Sequence, residues 1–359
     1  MRIGIFHDCL INRGGAERVV IELANYLNAD LITAGFNPHL RKWVDIKANI
    51  IDIKNNSIKW NNILGFNIEA PLRFFLNRKN FDYDLFIFSG QSSIFGSLNG
   101  KNNIWFSHTP NRILYDLKNN KLNNSSVIKK LFYRLYIKIF YPLDQKIILK
   151  NFKKIISNSR NVQKRIKKYY HKESTIIYPP IESEKFKFKK FGDFYLAISR
   201  LTSEKRMDLI ANAFTKMPDK KLIIIGNGPE RKNVLEIIKD SPNIRLLDNV
   251  NDKELLKLYS NCFATIYMPI DEDFGLVPLE GMASGKSCIA VNEGGCKETV
   301  IPNKTGFLIK ANEKELIETV KNFDIKKAEK MKNNCINQAK KFDIKLCIKT
   351  WEKNLKWNF

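Results

Sequence analysis

The segment Met268–Met282 contains two glutamates, Glu272 and Glu280, separated by seven residues, one of which is Gly275. The first follows an apolar, strand-like run, and the second falls in the predicted opening turn of the next helix. Carboxylates accept paired hydrogen bonds from vicinal hydroxyls, so a sugar or a ribose is the natural ligand of such a pair. Backbone N–H groups at Gly275 and Leu276 would meet the same ligand. Acidic residues also favour helix starts for dipole reasons, and that simpler interpretation stays open.

Two cations follow another strand-like run, in the segment Ile198–Arg206. Arg200 and Lys205 would lie just past the carboxyl end of that strand, where open α/β sheets bind their ligands. Arginine can bind two oxygens at once and lysine acts as a point charge, so the pair suits a diphosphate. A solvated basic loop is the competing interpretation for either residue alone.

Two glycine turns also follow strand-like runs. Gly14 and Gly15 stand before an apolar helix, whereas Gly226 and Gly228 follow the run Leu222–Ile225. Glycine lets backbone N–H groups approach an anion, and a helix N-terminus adds partial positive charge. Neither turn has the G-x-G-x-x-G spacing of dinucleotide-binding proteins, so each alone is also compatible with a plain tight turn.

His108 stands just after the run Asn103–Phe106, at the same predicted edge as the first glycine turn. That placement favours an imidazole facing a ligand, although a lone histidine is commonly structural; His7 is the weaker candidate. Two D-x-D triplets, Asp82–Asp84 and Asp271–Asp273, would suit a metal ion. Such triplets are common by chance, and we expect no metal site.

Short apolar runs must position these residues, and helix-like segments separate the runs. Runs that are apolar on both faces are typical of parallel strands covered by helices. The predicted strands are Ile3–Phe6, Asp84–Phe88, Asn103–Phe106, Lys154–Ser157, Thr175–Tyr178, Phe194–Ile198, Lys221–Ile225, Ile244–Leu247, Ala264–Tyr267 and Ser287–Val291. Two such series predict an α/β protein with two doubly wound domains, although an eight-unit barrel also fits the length.

A break near Pro179–Pro180 ends the first series, because a double proline stops a strand. We therefore expect one domain over residues 1–185 and a second over residues 186–341. The final segment, 342–359, has apolar residues at helical spacing.

The composition is that of an ordinary globular protein, with 359 residues, 44% hydrophobic and 27% charged. No apolar run reaches the ~18 residues that span a bilayer, which excludes an integral membrane protein. The opening strand leaves no room for a secretion signal, and the six cysteines are widely spaced, so we expect a cytoplasmic protein with reduced thiols. A buried disulfide is the alternative.

The net charge of +24 is concentrated in one region. Residues 129–190 hold 18 Lys and Arg against 4 Asp and Glu, a net +14. Within this region, cations such as Lys129, Arg134 and Lys138 alternate with apolar residues at helical spacing. A basic amphipathic helix of this kind can lie on anionic lipid, and a solvated helix face is the plainer alternative.

The order and spacing of these motifs resemble retaining glycosyltransferase family 4, and within it the mannosyltransferase branch that builds O-antigen and similar surface polysaccharides. The resemblance covers roughly residues 1–308. Its motifs are Gly14–Glu17, Ser107–Asp116, Ile156–Ile166, Ile177–Ile181, Ser199–Arg206 and Glu272–Glu280.

The resemblance implies the GT-B fold, in which two Rossmann-like domains face a central cleft and a C-terminal helix, here 342–359, completes the first. It implies that Arg200 and Lys205 bind the donor diphosphate, Glu272 binds sugar hydroxyls, and His108 lies near the donor sugar and the acceptor. These four would be the catalytic residues. The implied donor-binding residues are Gly14, Gly15, Gly226, Gly228, Asn249, Val250, Phe274, Gly275, Leu276 and, at the ribose, Glu280.

The implied reaction moves a hexose, in the first place mannose from GDP-mannose, to a lipid-linked or polysaccharide acceptor without a cofactor. Asp248–Asn249 stands where relatives often have glycine, which leaves a UDP-linked glucose, galactose or N-acetylhexosamine donor open. A sugar-nucleotide epimerase is a further alternative. A nucleic-acid-binding protein would explain the charge but not the glutamate pair, and we expect no nucleic-acid partner. The implied location is the inner face of the cytoplasmic membrane, as a peripheral protein.

Overall fold

The computed structural model describes residues 1–11, 14–42, 44–53, 63–123, 125–248 and 250–355. The chain divides into two compact units, Met1–Tyr178 and Pro179–Phe359. Each unit is built on one open sheet of parallel strands.

The first unit has a seven-stranded sheet in the order β3-β2-β1-β4-β5-β6-β7. Its strands are β1 Ile3–His7, β2 Asp30–Thr33, β3 Ile50–Asp52, β4 Leu85–Ser89, β5 Asn103–Ser107, β6 Lys154–Ser157 and β7 Thr175–Ile176. Its helices are α1 Gly15–Leu27, α2 Ile63–Asn77, α3 Lys118–Asn123, α4 Val127–Asn151 and α5 Arg160–Tyr170, with short 3₁₀ helices at Pro38–Lys42 and Ser93–Gly96. The strand order reverses between β1 and β4, and such a switch point is where open sheets bind ligands.

The central strands of this sheet, β1, β4 and β5, are buried along their whole length. This burial explains why they are apolar on both faces, as parallel strands between helix layers must be. Phe6 stacks on Phe88 with ring centroids 4.8 Å apart, and Trp105 meets Tyr170 edge-on at 5.4 Å. The same strands end in polar residues, which therefore gather at one edge of the sheet.

The second unit has a six-stranded sheet in the order β10-β9-β8-β11-β12-β13. Its strands are β8 Phe194–Ile198, β9 Lys221–Ile225, β10 Ile244–Leu247, β11 Thr265–Tyr267, β12 Cys288–Val291 and β13 Gly306–Ile309. Its helices are α6 Met207–Thr215, α7 Arg231–Ile238, α8 Asp252–Asn261, α9 Leu276–Ala283, α10 Cys296–Thr299, α11 Glu313–Asn322, α12 Ile325–Lys340 and α13 Ile344–Leu355, with 3₁₀ helices at Ser183–Lys185 and Ser203–Lys205. Here the switch point lies between β8 and β11.

Helix starts in the second unit follow from the local sequence. The side chains of Asn251, Asn312 and Asp324 each accept a hydrogen bond from the backbone N–H three residues on. Short polar side chains of this kind satisfy the donors that a helix start leaves without partners. They fix where α8, α11 and α12 begin.

All ten predicted strands are present, which confirms the α/β class, and two open sheets replace the alternative of a single barrel. Three further strands, β2, β3 and β13, were not predicted from the sequence and have three or four residues each. The final segment is helical over Ile344–Leu355, as its periodicity predicted. The domain limits 1–185 and 186–341, and the role of residues 342–359 in completing the first domain, stay predictions.

Candidate functional site

The main candidate residues of the second unit lie just after the carboxyl ends of two neighbouring strands, β8 and β11. The segment after β8 carries Arg200, which is exposed, and Lys205; the loop after β11 carries Glu272. The Lys205 ammonium donates to the Glu272 carboxylate over an Nζ–Oε2 distance of 2.5 Å, and the two side chains are 16% and 14% exposed. The structure thus joins a predicted sugar-binding carboxylate to a predicted phosphate-binding cation 67 positions away.

The turn after β9 supports the segment that carries Arg200. A Cβ atom on Gly226 would lie 1.9 Å from the carbonyl oxygen of Ser199, and one on Gly228 would lie 2.4 Å from that of Leu201. The N–H of Leu201 donates to the backbone of the turn at 2.9 Å. Only glycine permits this approach, so the turn shapes the cationic segment; its own part in donor binding stays a prediction.

A glycine pair after β12, Gly294–Gly295, underlies the loop that carries Glu272. Gly294 has a φ of 49°, and a Cβ atom there would lie 2.4 Å from the Glu272 carbonyl oxygen. The Gly295 N–H donates to that same oxygen at 2.7 Å. This pair was not predicted from the sequence, although it is a third glycine turn that follows a strand and so has the same pattern as the other two.

A second ion pair ties the two segments together. Arg206 pairs with Glu293 at 3.0 Å, and the other oxygen of Glu293 accepts the Asp271 N–H at 3.1 Å. The Ile270 N–H donates to the Glu204 carbonyl oxygen at 2.8 Å. The Arg206 and Glu293 side chains are 21% and 32% exposed, and pairs in such contact with water contribute little free energy, so their effect is mainly to fix the loop. Glu293 was not predicted from the sequence.

Glu272 has a further neighbour in Tyr267, the last residue of β11. The buried Tyr267 ring lies close enough to Glu272 for the two groups to interact electrostatically. Burial of the ring, together with the Glu272 charge, raises the pKa of Tyr267 well above its usual value. The phenol therefore stays protonated near the carboxylate that Lys205 holds.

Glu280 lies in the second turn of α9, not in the opening turn that the sequence predicted. The helix begins at Leu276, directly after Gly275, whose φ is 89°. Helix-dipole stabilisation falls off within the first turn, so it does not account for an acidic residue here. The Glu280 carboxylate accepts a hydrogen bond from the hydroxyl of Tyr259, with 2.6 Å between the oxygens.

Three other predicted donor-binding residues belong to the second unit. The Phe274 side chain is buried and packs against Phe342 with ring centroids 5.4 Å apart, so the backbone of Phe274 is the part left to meet a ligand. Val250 is buried beyond the end of β10. Asn249 lies outside the described residues. Their contacts with a donor stay predictions.

In the first unit, His108 follows β5, next to the end of β4. Its Nε2 shares a hydrogen bond with the Ser89 hydroxyl at 2.8 Å, and His7 donates from Nδ1 to the Ser89 carbonyl oxygen at 2.9 Å. Burial, and to a smaller degree the proximity of His7, lowers the pKa of His108 to about 3. The ring is therefore neutral at physiological pH. It can donate one hydrogen bond and accept another, but it supplies no charge to a diphosphate.

The first glycine turn lies at the start of α1. Gly14 is the residue before the helix and Gly15 is its first residue. Glu17 is in the first turn, and its carboxylate lies against Gly14. An acidic side chain therefore already faces the positive end of this helix, and the predicted approach of Gly14 and Gly15 to a diphosphate stays a prediction.

The described residues contain no group of three or more His, Cys, Asp or Glu side chains placed to share a metal ion. The absence of any cofactor requirement stays a prediction. Within the same ranges, no helix has the length and apolar character needed to cross a membrane.

Two family models match consecutive parts of the chain. The family described as glycosyltransferase family 4 matches residues 13–185, and the family described as glycosyl transferases group 1 matches residues 180–342. Together they cover most of both units. The chain is a glycosyltransferase of the family 4 type with a GT-B fold, which confirms the predicted class and fold.

Among curated proteins, the chain is similar to the α-1,3/1,6-mannosyltransferase ALG2 of Dictyostelium discoideum, with 26% identity over 99% of this chain and 97% of that protein. Among solved structures, it resembles Anabaena HepE in complex with UDP and glucose, with a TM-score of 0.78, 17% identity and coverage of 98% and 99%. It also resembles WaaG, a glycosyltransferase of lipopolysaccharide biosynthesis, with a TM-score of 0.73, 14% identity and coverage of 97% and 98%. The two structural matches establish the fold alone.

Proposed function

We propose that this protein is a retaining hexosyltransferase that moves mannose from GDP-mannose to a lipid-linked or saccharide acceptor in cell-surface glycan synthesis. The observation that carries the proposal is the ion pair between Lys205 and Glu272 at the switch point of the second sheet, with Arg200 on the same segment as Lys205. A cation for phosphate and a carboxylate for hydroxyls stand side by side there, as a nucleotide-sugar requires. The full-length similarity to a protein named as a mannosyltransferase supports mannose as the sugar.

The chemistry follows from the leaving group. Negative charge grows on the departing diphosphate, and Arg200 and Lys205 stabilise that charge while Glu272 holds the sugar hydroxyls. The acceptor oxygen bonds to the anomeric carbon on the face from which the diphosphate leaves, and a donor phosphate oxygen takes the acceptor proton. Configuration is retained without a covalent sugar–enzyme intermediate, in contrast to retaining hydrolases, which use two carboxylates. His108, whose pKa is lowered to about 3 by burial, would offer a ligand a hydrogen bond from a neutral ring rather than a charge.

A UDP-linked donor is the second candidate. The solved structure of HepE holds UDP and glucose, and this chain shares its fold. The residues that would meet the base lie around Asp248 and Val250, where Asp248 pairs with Arg231 at 3.4 Å.

We further propose that the protein works on the inner face of the cytoplasmic membrane and meets anionic lipid through α4, within the basic region 129–190. Five aliphatic residues at helical spacing on this helix are 47–84% exposed, namely Val127, Ile128, Leu131, Leu135 and Ile139. Exposed Lys129, Arg134 and Lys138 lie among them. An apolar stripe flanked by cations is what an interfacial helix needs, and a lipid-linked acceptor would be found at such a surface.

A donor screen tests the proposal. Purified protein is heated with GDP-mannose, UDP-glucose, UDP-galactose, UDP-N-acetylglucosamine, RNA or DNA, and the unfolding midpoint is recorded. We expect GDP-mannose to give the largest increase, since a bound ligand stabilises by mass action. NMR of the product then gives the anomeric configuration. Protection by nucleic acid alone, or an inverted product, would contradict the proposal.

A further inference from the structure

A buried tyrosine on α8, Tyr259, reaches the carboxylate of Glu280 on α9. The hydroxyl donates to Oε2 with 2.6 Å between the oxygens, the short distance typical of a hydrogen bond to a charged acceptor. The Tyr259 ring is fully buried, and Phe186 meets it edge-on with ring centroids 5.6 Å apart. The donor is therefore held rigidly, with one proton and a fixed direction.

A rigid donor of this kind restricts the conformation of the Glu280 side chain. Its side chain is partly exposed and has three rotatable bonds, so a carboxylate without a fixed partner would lose conformational freedom on binding a ligand. The backbone of Glu280 is already fixed, since its neighbours Leu279 and Gly281 are buried in α9. The Tyr259 hydrogen bond adds the last constraint by selecting the orientation of the carboxylate plane.

We propose that Tyr259 is a positioning residue for nucleoside recognition, which holds the Glu280 carboxylate ready to accept hydrogen bonds from the vicinal hydroxyls of a nucleotide ribose. The inference rests on the proposed function, in which Glu280 binds that ribose. It adds a residue that would not touch the ligand and would act only through Glu280.

The protonation state of Tyr259 is suited to this role. Burial, and next the charge of Glu280, raises the pKa of Tyr259 well above its ordinary value. The hydroxyl thus stays protonated near neutral pH and donates a hydrogen bond to Glu280. The carboxylate keeps further lone pairs for other donors, because each of its oxygens accepts more than one hydrogen bond.

The test separates ribose recognition from general loosening of the site. The dissociation constants of GDP and 2′,3′-dideoxy-GDP are measured by calorimetry, with UDP and its dideoxy form if the wild type binds UDP instead. Their ratio reports the hydroxyl contacts alone. The variants are Tyr259→Phe, Glu280→Gln and the double variant, with Tyr267→Phe as a matched control, because Tyr267 is also a buried tyrosine that interacts with a carboxylate of the same site, Glu272.

We expect the wild type to prefer the ribonucleotide by roughly tenfold or more, as one charged hydrogen bond allows. Tyr259→Phe should reduce this preference at least threefold, Tyr267→Phe should leave it unchanged, and the double variant should match Glu280→Gln. The double variant also keeps the test valid if Tyr259→Phe fails to fold, because it leaves no carboxylate charge without its donor. A double variant that prefers the ribonucleotide more strongly than Glu280→Gln does would then overturn the inference.

Equal weakening of both nucleotides by Tyr259→Phe would show a merely structural role and overturn the inference while leaving the proposed function intact. A wild type that binds neither GDP nor UDP, or that binds the dideoxy forms as tightly, would overturn the assignment of Glu280 to ribose, and the inference with it.

Discussion

The contact between Lys205 and Glu272 holds both charged groups in place. A carboxylate 2.5 Å from the ammonium holds that charge at the strand end, where a diphosphate would lie. We predict that Lys205→Ala and Arg200→Ala each lower kcat at least about tenfold, because a fixed cation that meets developing charge is commonly worth 10² or more. Initial rates with saturating donor measure this. Lys221→Ala, an exposed lysine at the opposite end of its strand, is the control and should keep the wild-type rate. Near-normal rates for both site variants would contradict the phosphate assignment.

Asp144 makes the free energy of unfolding depend on pH. It is 3% exposed on α4, and its Oδ2 accepts the hydroxyls of Tyr115 and Tyr170 at 2.6 and 2.7 Å. Burial raises the pKa of Asp144 to about 6, although both hydrogen bonds oppose the shift. The folded protein thus holds this proton more tightly than the unfolded chain, whose aspartate pKa is about 3.9. The free energy of unfolding contributed by this group is therefore largest below about pH 4 and falls as the pH rises to about 6.

Replacing Asp144 by a neutral residue should remove this loss of unfolding free energy. Asp144→Asn keeps an oxygen acceptor for the two tyrosines, and we predict that it raises the free energy of unfolding near neutral pH by about 3 kcal/mol. It should also flatten the pH profile between about pH 4 and pH 6. Thermal unfolding across this range measures both effects, with the exposed Asp240→Asn as control. A variant that follows the wild type at every pH would show that the buried charge is not destabilising.

At the level of elements, the loop after β11 depends on the turn after β12. In Gly294→Ala, the new Cβ would lie 2.4 Å from the Glu272 carbonyl oxygen, at a φ of 49°. Gly100→Ala is the matched control, because Gly100 also has a positive φ, 82°, with no atom near its Cβ position. We predict a loss of about 1 kcal/mol in unfolding free energy for the control and at least twice that for Gly294→Ala. Donor kcat/KM should fall about tenfold or more only in Gly294→Ala, because Glu272 is displaced. Equal losses in the two variants would show that the loop tolerates the extra atom.

The sequence predicted the elements better than their assembly. The apolar run for which a strand was predicted, Asp84–Phe88, nearly matches the buried strand Leu85–Ser89, but Ile50–Asp52 is three residues long and only partly buried, so it gave no comparable signal. The candidate site residues were chosen from local spacing. The contacts that support their segments could not be predicted in this way, because Arg206 and Glu293 are 87 positions apart and meet only through the adjacency of β8, β11 and β12. Strand order decides such contacts, and no local pattern encodes it.

For the whole molecule, the decisive question about the +24 charge is whether its position matters or only its total. A diffuse excess of lysine would attract any anionic surface through long-range electrostatics. Part of the +14 within residues 129–190 lies instead on the exposed apolar stripe of α4, in which Ile128 and Leu131 are 84% and 69% exposed. Exposed aliphatic residues gain free energy at a membrane by leaving water, so charge and apolar area act at one place.

Matched charge reversals show whether lipid binding depends on the position of the positive charge or only on its total. Arg134→Glu with Lys138→Glu changes α4, and Lys326→Glu with Lys330→Glu changes α12 with the same spacing, exposure and total charge. We predict that the α4 pair lowers binding to phosphatidylglycerol vesicles at least about tenfold, at roughly 1 kcal/mol for each lost cation, while the α12 pair has little effect. Ile128→Ser with Leu131→Ser should also weaken binding without changing the charge. Vesicle sedimentation measures all three, with phosphatidylcholine vesicles as the uncharged reference. Equal losses for the two charge pairs, with none for the serine variant, would mean that total charge alone attracts the protein to lipid.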